Sequence, residues 1–431
     1  MSDRAAAGLS RRAMLAGLAV AAGRIPPAMA GDVSSRIAAA PVFSLTGPEA
    51  ARYGAPDYPI ENPLLPYQPG NPNSLKYRVG AFSHYDEIFP TRRIARAAAL
   101  WQFKRTSADL RYIYKGKPSS VADYLSRNPV TGLLIAKDDQ ILFEHYQYGR
   151  TDRDRLLSQS MVKSITGLLI GVAIADGAIK SVDDTVETYV EGLKGTEYGR
   201  TPIRALLHMS SGVDFGEERD NGRDLDRLWI DMVRGGWISN KGTVASLAQF
   251  NRRIAAPGTR FYYASIEPDV LGAVLRAAVR TSMSDYLHDK VWAPIGAEAD
   301  ATWLLDAEGF EVAHQGFNAV LRDYARLGRL FAHDGAWESR QIVPAQWMID
   351  ATTVRASDGD LAPGKADPTF GYGYLLWLLP WGQRQFALFG SYGQRICIDP
   401  TSKLVMVHTA VEQTKEIWAL WRAVATQFGK E

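Results

Sequence analysis

A chain of 431 residues with a single cysteine, Cys397, cannot form an intrachain disulfide. Its stability must come from a buried core, and this length suffices for two or three domains or for one two-lobed unit. Cys397 sits in the apolar run Ile396-Cys397-Ile398 with nothing nearby to lower a thiol pKa, so it reads as structural rather than catalytic. Excess charge of one sign is also missing. The net charge is +2, and no basic run is interleaved with aromatics, which argues against a nucleic-acid partner. The seven histidines are scattered, with no His-Glu-x-x-His and no Cys-x-x-Cys, so neither a metal nor another cofactor is expected. No Gly-x-Ser-x-Gly elbow is present, which disfavours an α/β-hydrolase. Past the N-terminus no apolar run has membrane-spanning length. What is there, 46% hydrophobic and 22% charged residues, is the composition of a soluble globular protein.

The N-terminus has the order of a targeting segment. Arg11-Arg12 precede a short apolar stretch, Ala13 to Gly23, and Ala28-Met29-Ala30 offers a small-x-small cleavage site before Gly31. Paired arginines at that place point to bacterial twin-arginine export, to a periplasmic or secreted product, and to no stable membrane span once residues 1–30 are removed. Residues 31–125 read as an N-terminal arm, rich in proline from Pro56 to Pro72 and helical around Arg93–Trp101.

From 126 to 431 the pattern is that of one domain. Thr131–Lys137 and Gln140–Tyr146, joined through Asp138-Asp139, predict a β-hairpin. Ser164–Ala175 reads as a buried helix ended by Asp176-Gly177. Helical segments with polar breaks follow. Strands return at Phe386–Phe389, Arg395–Ile398 and Leu404–Val411, before a terminal helix carrying Trp418 and Trp421 at helical spacing. Strands at both ends and helices between predict an α/β (α+β) fold. Its antiparallel sheet is assembled from distant pieces (about 126–180 and 310–431) and flanked by helices, with an all-helical part inserted at about 181–309.

Chemistry is carried by three segments. Ser160-Met161-Val162-Lys163 opens the buried helix, and a spacing of three puts both side chains on one helical face. Burial strips water from a lysine and lowers its pKa from about 10.4. A lysine that shares a proton with a neighbouring hydroxyl can make serine a nucleophile. On the order of one such pair is expected by chance in a chain this long, so its surroundings must decide. Pro257-Gly258 begins a tyrosine-rich loop that ends Tyr263-Ala264-Ser265. A phenol acts as a base only beside cations that stabilise its phenolate, which Lys163 can supply, and Ser265 can complete a relay. The third segment, Phe386 to Arg395, is a strand ending at Gly390-Ser391, where glycine lets backbone N–H groups approach a ligand closely. Acyl transfer needs two such donors aimed at the oxyanion.

In this order the segments resemble the penicilloyl-serine transferase superfamily of serine β-lactamases, DD-peptidases and their relatives. The resemblance is strongest to the class C-type branch that includes carboxylesterases and 6-aminohexanoate-dimer hydrolase. It also draws on Ala175-Asp176-Gly177, Leu206 to Gly212, Arg322 to Gly328, and Gly393-Gln394-Arg395 to Asp399-Pro400. The resemblance implies Ser160 as acylated nucleophile, Lys163 as its activating partner and Tyr263 as general acid/base. Ser265 takes the third place of the Tyr-x-Asn/Ser element, and the oxyanion donors are the N–H of Ser160 and one near Ser391. Two departures stand out. The third strand reads Leu388-Phe389-Gly390 where β-lactamases carry Lys-Thr-Gly or His-x-Gly, and serine replaces asparagine at 265. A lost charge-assisted contact costs about 1.5–3 kcal/mol. The expected function is therefore an exported amidase or carboxylesterase acting on a small-molecule amide or ester. A β-lactamase or DD-peptidase and a non-catalytic binding protein on the same scaffold are the alternatives. Asp214, Glu217, Glu218 and Asp220 read as a solvated acidic face or a substrate entrance, Trp237 as a lid or packing aromatic, and Met209 to Gly212 as a structural turn.

Overall fold

The computed structural model describes residues 40–54, 74–217, 223–234, 241–382 and 384–429. Residues 1–30, which the sequence reads as a targeting segment, the prolines from Pro56 to Pro72, Glu218, Asp220 and Trp237 lie outside these residues.

The chain lays down two short strands of the arm, β1 (Val42–Phe43) and β2 (Thr91–Ile94), then β3 (Lys104–Arg105) and helix α1 (Val121–Arg127). The hairpin β4 (Val130–Lys137) and β5 (Gln140–Tyr146) follows, turning at Asp138, whose φ of 51° lies in the left-handed region that Asp tolerates. β6 (Leu156–Leu157) leads into α2 (Val162–Ala175). Short helices then run to α3 (Ile266–Val279), and the chain returns through β7 (Ala301–Leu304), β8 (Phe317–Ala319) and α4 (Leu321–Ala332). It closes with β9 (Gly371–Tyr372), β10 (Trp377–Leu378), β11 (Phe386–Gly390), β12 (Gln394–Asp399), β13 (Leu404–Ala410) and α5 (Glu416–Phe428).

Most of these strands form one sheet in the order β1-β5-β4-β13-β12-β11-β10-β9, with β3 also pairing β5. The hairpin meets the C-terminal strands at its centre, where Leu134 faces Val407 and Ile135 faces Met406 across an antiparallel ladder. Alternation along the strands buries both faces. Leu134, Ala136, Val405, Val407 and Ile396 point towards the core that holds α2 and α4. Leu133, Ile135, Met406 and Cys397 point towards Trp418 and Trp421 of α5. Gly328 lets α4 lie close on the sheet, since a Cβ there would come within 2.5 Å of Val405 Cγ1. A second sheet, β2-β7-β8-β6, is antiparallel throughout.

The arm differs from its sequence reading. Thr91–Ile94 is a strand and no helix spans Arg93–Trp101. Partners far along the chain override the alanine-rich helical preference of that run. β2 pairs with β7, the Ala97 N–H donates to the Ala297 carbonyl, and the Trp101 N–H donates to that of Gly296. β7 itself lies inside the stretch read as all-helical and is a strand because β2 and β8 flank it. β1 and β3 add parallel pairings to a sheet read as antiparallel. Among the described residues no helix is long and apolar enough to cross a membrane.

Candidate active site

β6 delivers the chain to Ser160. The Leu157 N–H donates to the Phe82 carbonyl and the Ser158 N–H to that of Phe317, both at 2.8 Å, so the strand end is fixed from two sides. The chain then enters a tight turn, Gln159–Met161, with Gln159 at φ 49°, a conformation a non-glycine residue adopts only under constraint. Ser160 stands half-buried at the head of α2. Lys163, one turn on and 2% exposed, donates from Nζ to Ser160 Oγ at 2.7 Å and to the His314 carbonyl at 3.0 Å. Behind that carbonyl, Asp269 accepts from the Ala313 N–H at 2.9 Å and pairs with His314 Nδ1 at 2.6 Å. Sequence reasoning missed Asp269 and His314. They lie 45 residues apart with no local pattern to mark them, although Asp269 sits on the helix that follows the Tyr263 segment.

Tyr263 arrives on the loop before α3. The loop is moored where the Gly258 N–H donates to the Ser210 carbonyl and the Tyr262 N–H to that of Met209, both at 2.8 Å. Lys163 Nζ lies 5.1 Å from the centroid of the Tyr263 ring, which stacks on Trp377 at 5.6 Å and 25°. The structure therefore brings Ser160, Lys163 and Tyr263 together. Ser265 does not join them. It is buried and turned the other way, donating from both N–H and Oγ to Glu217 at 2.7 Å. Glu217 is accordingly buried rather than part of a solvated face, while Asp214 forms an ion pair with Arg252. A second carboxylate, Glu267, is buried beside Ser211 and accepts from its Oγ at 2.6 Å. Burial pushes Glu267 up to about 8, so it holds a proton at neutral pH. Ser210 and Ser211 bond to the Ala205 carbonyl and to Glu267, as a structural turn requires. Cys397 is fully buried, and its thiol is pushed up to about 12.

The end of β11 closes the site opposite α2. A Cβ on Gly390 would lie 2.3 Å from the Ser158 carbonyl oxygen, so only glycine allows the strand to come this near the Ser160 turn. Ser391 follows in a short turn with Tyr392 at φ 63°. This places the backbone after Gly390 on the edge facing the Ser160 turn, with no cationic side chain at 388 or 389. Among the described residues no group of three or more His, Cys, Asp or Glu could hold a metal ion.

A mixed sheet with a helical insertion and a serine–lysine pair at the start of a buried helix define a serine hydrolase of the β-lactamase and penicillin-binding-protein fold. The Beta-lactamase family model matches residues 121–416, and the chain belongs to that family. It is 25% identical over 335 residues to the 6-aminohexanoate-dimer hydrolase of Paenarthrobacter ureafaciens, a match covering 76% of this chain and 83% of that protein. A solved structure of a candidate 6-aminohexanoate-dimer hydrolase from Bacillus anthracis superposes with a TM-score of 0.72 at 23% identity, covering 88% of this chain and 97% of that one. An octameric penicillin-binding protein homologue from Pyrococcus abyssi shares the fold at a TM-score of 0.52 and 20% identity, covering 70% and 74%.

Proposed function

We propose that this enzyme is an exported hydrolase that opens a small amide or ester through an acyl-enzyme on Ser160. The observation that carries the reading is the 2.7 Å bond from Lys163 Nζ to Ser160 Oγ, with the Tyr263 ring beside the same ammonium. A backbone carbonyl can only accept, so Lys163 is the donor to His314 and has further protons to direct at Oγ and at Tyr263. It holds an Oγ lone pair, and the proton of Ser160 leaves towards another group. Tyr263, beside the lysine, takes that proton as Oγ bonds to the substrate carbonyl carbon. The carbonyl oxygen becomes an oxyanion between the N–H of Ser160 and an N–H near Ser391. Tyr263 then returns the proton to the leaving amine or alcohol as its bond to carbon breaks. Water, deprotonated by Tyr263, releases the acyl group and restores Ser160. Lys163 donates throughout and is not consumed.

The missing cation at Leu388-Phe389 favours acyl groups that lack the carboxylate of a β-lactam, and linear ω-amino-acid amides and short esters fit that description. In this reading residues 1–30 are an export leader, residues 31–125 an N-terminal arm whose strands β1, β2 and β3 join the two sheets, and residues 126–431 the hydrolase domain of a periplasmic or secreted protein. A fluorophosphonate adduct should map by mass spectrometry to Ser160. Ser160→Ala should lose at least about 10³-fold in hydrolysis of a p-nitrophenyl ester. Undiminished hydrolysis by that variant sinks the reading. Faster turnover of nitrocefin than of esters or linear amides would move the substrate class to β-lactams.

A further inference from the structure

Arg395 is the most anomalous ionisable residue near the site. It is 5% exposed and, among the described residues, has no ion-pair partner. Its Nη1 donates to the carbonyls of Gly390 at 2.5 Å and Gln394 at 2.6 Å, and its buried Nε has no hydrogen-bond partner. Burying a cation without a counter-ion is costly, and an apolar side chain of that size would pack there without the cost. Burial pushes Arg395 down to about 10, which still leaves it charged at neutral pH.

Its surroundings show what the charge faces. The guanidinium lies 4.3 Å from the centroid of Phe389, its register partner across β11 and β12. Phe389 stacks on Trp377 at 5.2 Å and 15°, and Trp377 stacks on Tyr263 at 5.6 Å and 25°. Lys163 then lies 5.1 Å from the Tyr263 centroid. Three nearly parallel rings thus run between two buried cations, and the ring faces, which carry the negative end of the quadrupole, meet a cation at each end. The same guanidinium grips the carbonyl of Gly390, the residue that brings β11 against the Ser160 turn.

We propose that Arg395 is a positioning residue for acylation, clamping the Gly390 end of β11 and, through Phe389 and Trp377, fixing the Tyr263 ring and adding positive potential that favours its phenolate. The proposal rests on the reading of Tyr263 as base given above. The other groups facing Tyr263 are Lys163 from α2 and Tyr372 from β9, with Glu217 and Glu267 behind Tyr372. Around Arg395 stand Cys397, Tyr124 and His408, and burial keeps His408 neutral by lowering it to about 4. Lys163 and Arg395 are therefore the cations that favour the phenolate.

The test is the pH profile of the p-nitrophenyl ester burst, with kcat, KM and melting temperature, for the wild-type chain, Arg395→Lys, Arg395→Met and Trp377→Leu. Arg395→Met should raise the midpoint of the acylation profile by about 0.5–1 pH unit and slow the burst at pH 7 roughly 10-fold or more, with KM little changed. Arg395→Lys should keep the midpoint near that of the wild type. Trp377→Leu should slow the burst while moving the midpoint less than Arg395→Met does. A folded Arg395→Met with wild-type midpoint and rate overturns the proposal. If that variant does not fold, a wild-type kcat in Trp377→Leu overturns it, and a lowered kcat at unchanged KM supports it. A wild-type chain that leaves no adduct on Ser160 removes the base itself, and this failure is visible before any variant is made.

Discussion

The two walls of the site are built by different means. The wall that carries Ser160 and Lys163 is held by backbone: a strand end pinned at Leu157 and Ser158, a tight turn, and one helical turn that fixes the spacing. The wall that carries Tyr263 has two backbone bonds, at Gly258 and Tyr262, and is otherwise held by side chains. Glu217 ties down Ser265, Glu267 ties down Ser211, and an aromatic stack backs the ring. A backbone-built wall tolerates substitution except at the reacting atoms and at close approaches. A wall held by buried carboxylates couples its geometry to hydrogen bonding and to pH.

That contrast can be broken from its strongest point downward. Lys163→Met removes a side chain that touches both walls, and the ester burst should slow by about 10³-fold in stopped flow, while fluorophosphonate labelling of Ser160 weakens in parallel. Gly390→Val would drive a side chain against the Ser158 carbonyl and push β11 off the turn. A loss of about 10²-fold in kcat is expected, the cost of one misplaced oxyanion donor, and a wild-type kcat would show that this strand end is not part of the site. Glu217→Leu leaves the N–H and hydroxyl of Ser265 without their acceptor. Urea titration should show a loss of about 1–3 kcal/mol, with kcat falling only several-fold because the Ser265 hydroxyl donates to Glu217 and not to the reacting groups.

The last effect is on pH dependence. Glu267 is raised to about 8 in the folded chain by burial, against about 4.3 for an exposed glutamate. The folded state keeps a proton that the unfolded state releases, so Glu267 lowers stability as pH rises between those values, by up to about 1.4 kcal/mol per unit. Glu267→Gln should flatten the fall in urea midpoint between pH 5 and pH 8 and leave the pH 5 midpoint nearly unchanged. An unaltered slope would mean that Glu267 ionises normally.

The backbone-built wall was largely legible in the sequence, because its signals are local. Ser160-x-x-Lys163, the Asp138 turn and the alternation through Leu133–Ala136 each occupy one element. So does the helical spacing of Trp418 and Trp421. The side-chain wall was legible only in Tyr263. Ser265 was read as able to complete a relay, and Glu217 as part of a solvated face or a substrate entrance. What reverses both is a bond across 48 residues, and no periodicity reports that. The same holds for Asp269 and His314, and for the arm, where β2 is a strand only because β7 lies beside it. Local propensity sets an element until a distant partner outbids it.

The outer strands of the larger sheet have a consequence for how copies of this chain meet. At one side β5 is covered near its two ends by β3 and β1, each two residues long, and at the other the sheet stops at the two-residue β9. Edges this short offer few unpaired backbone groups for another chain to extend. Among the described residues, self-association by strand addition to this sheet is thereby discouraged, which leaves side-chain surfaces as the route by which copies would meet through it.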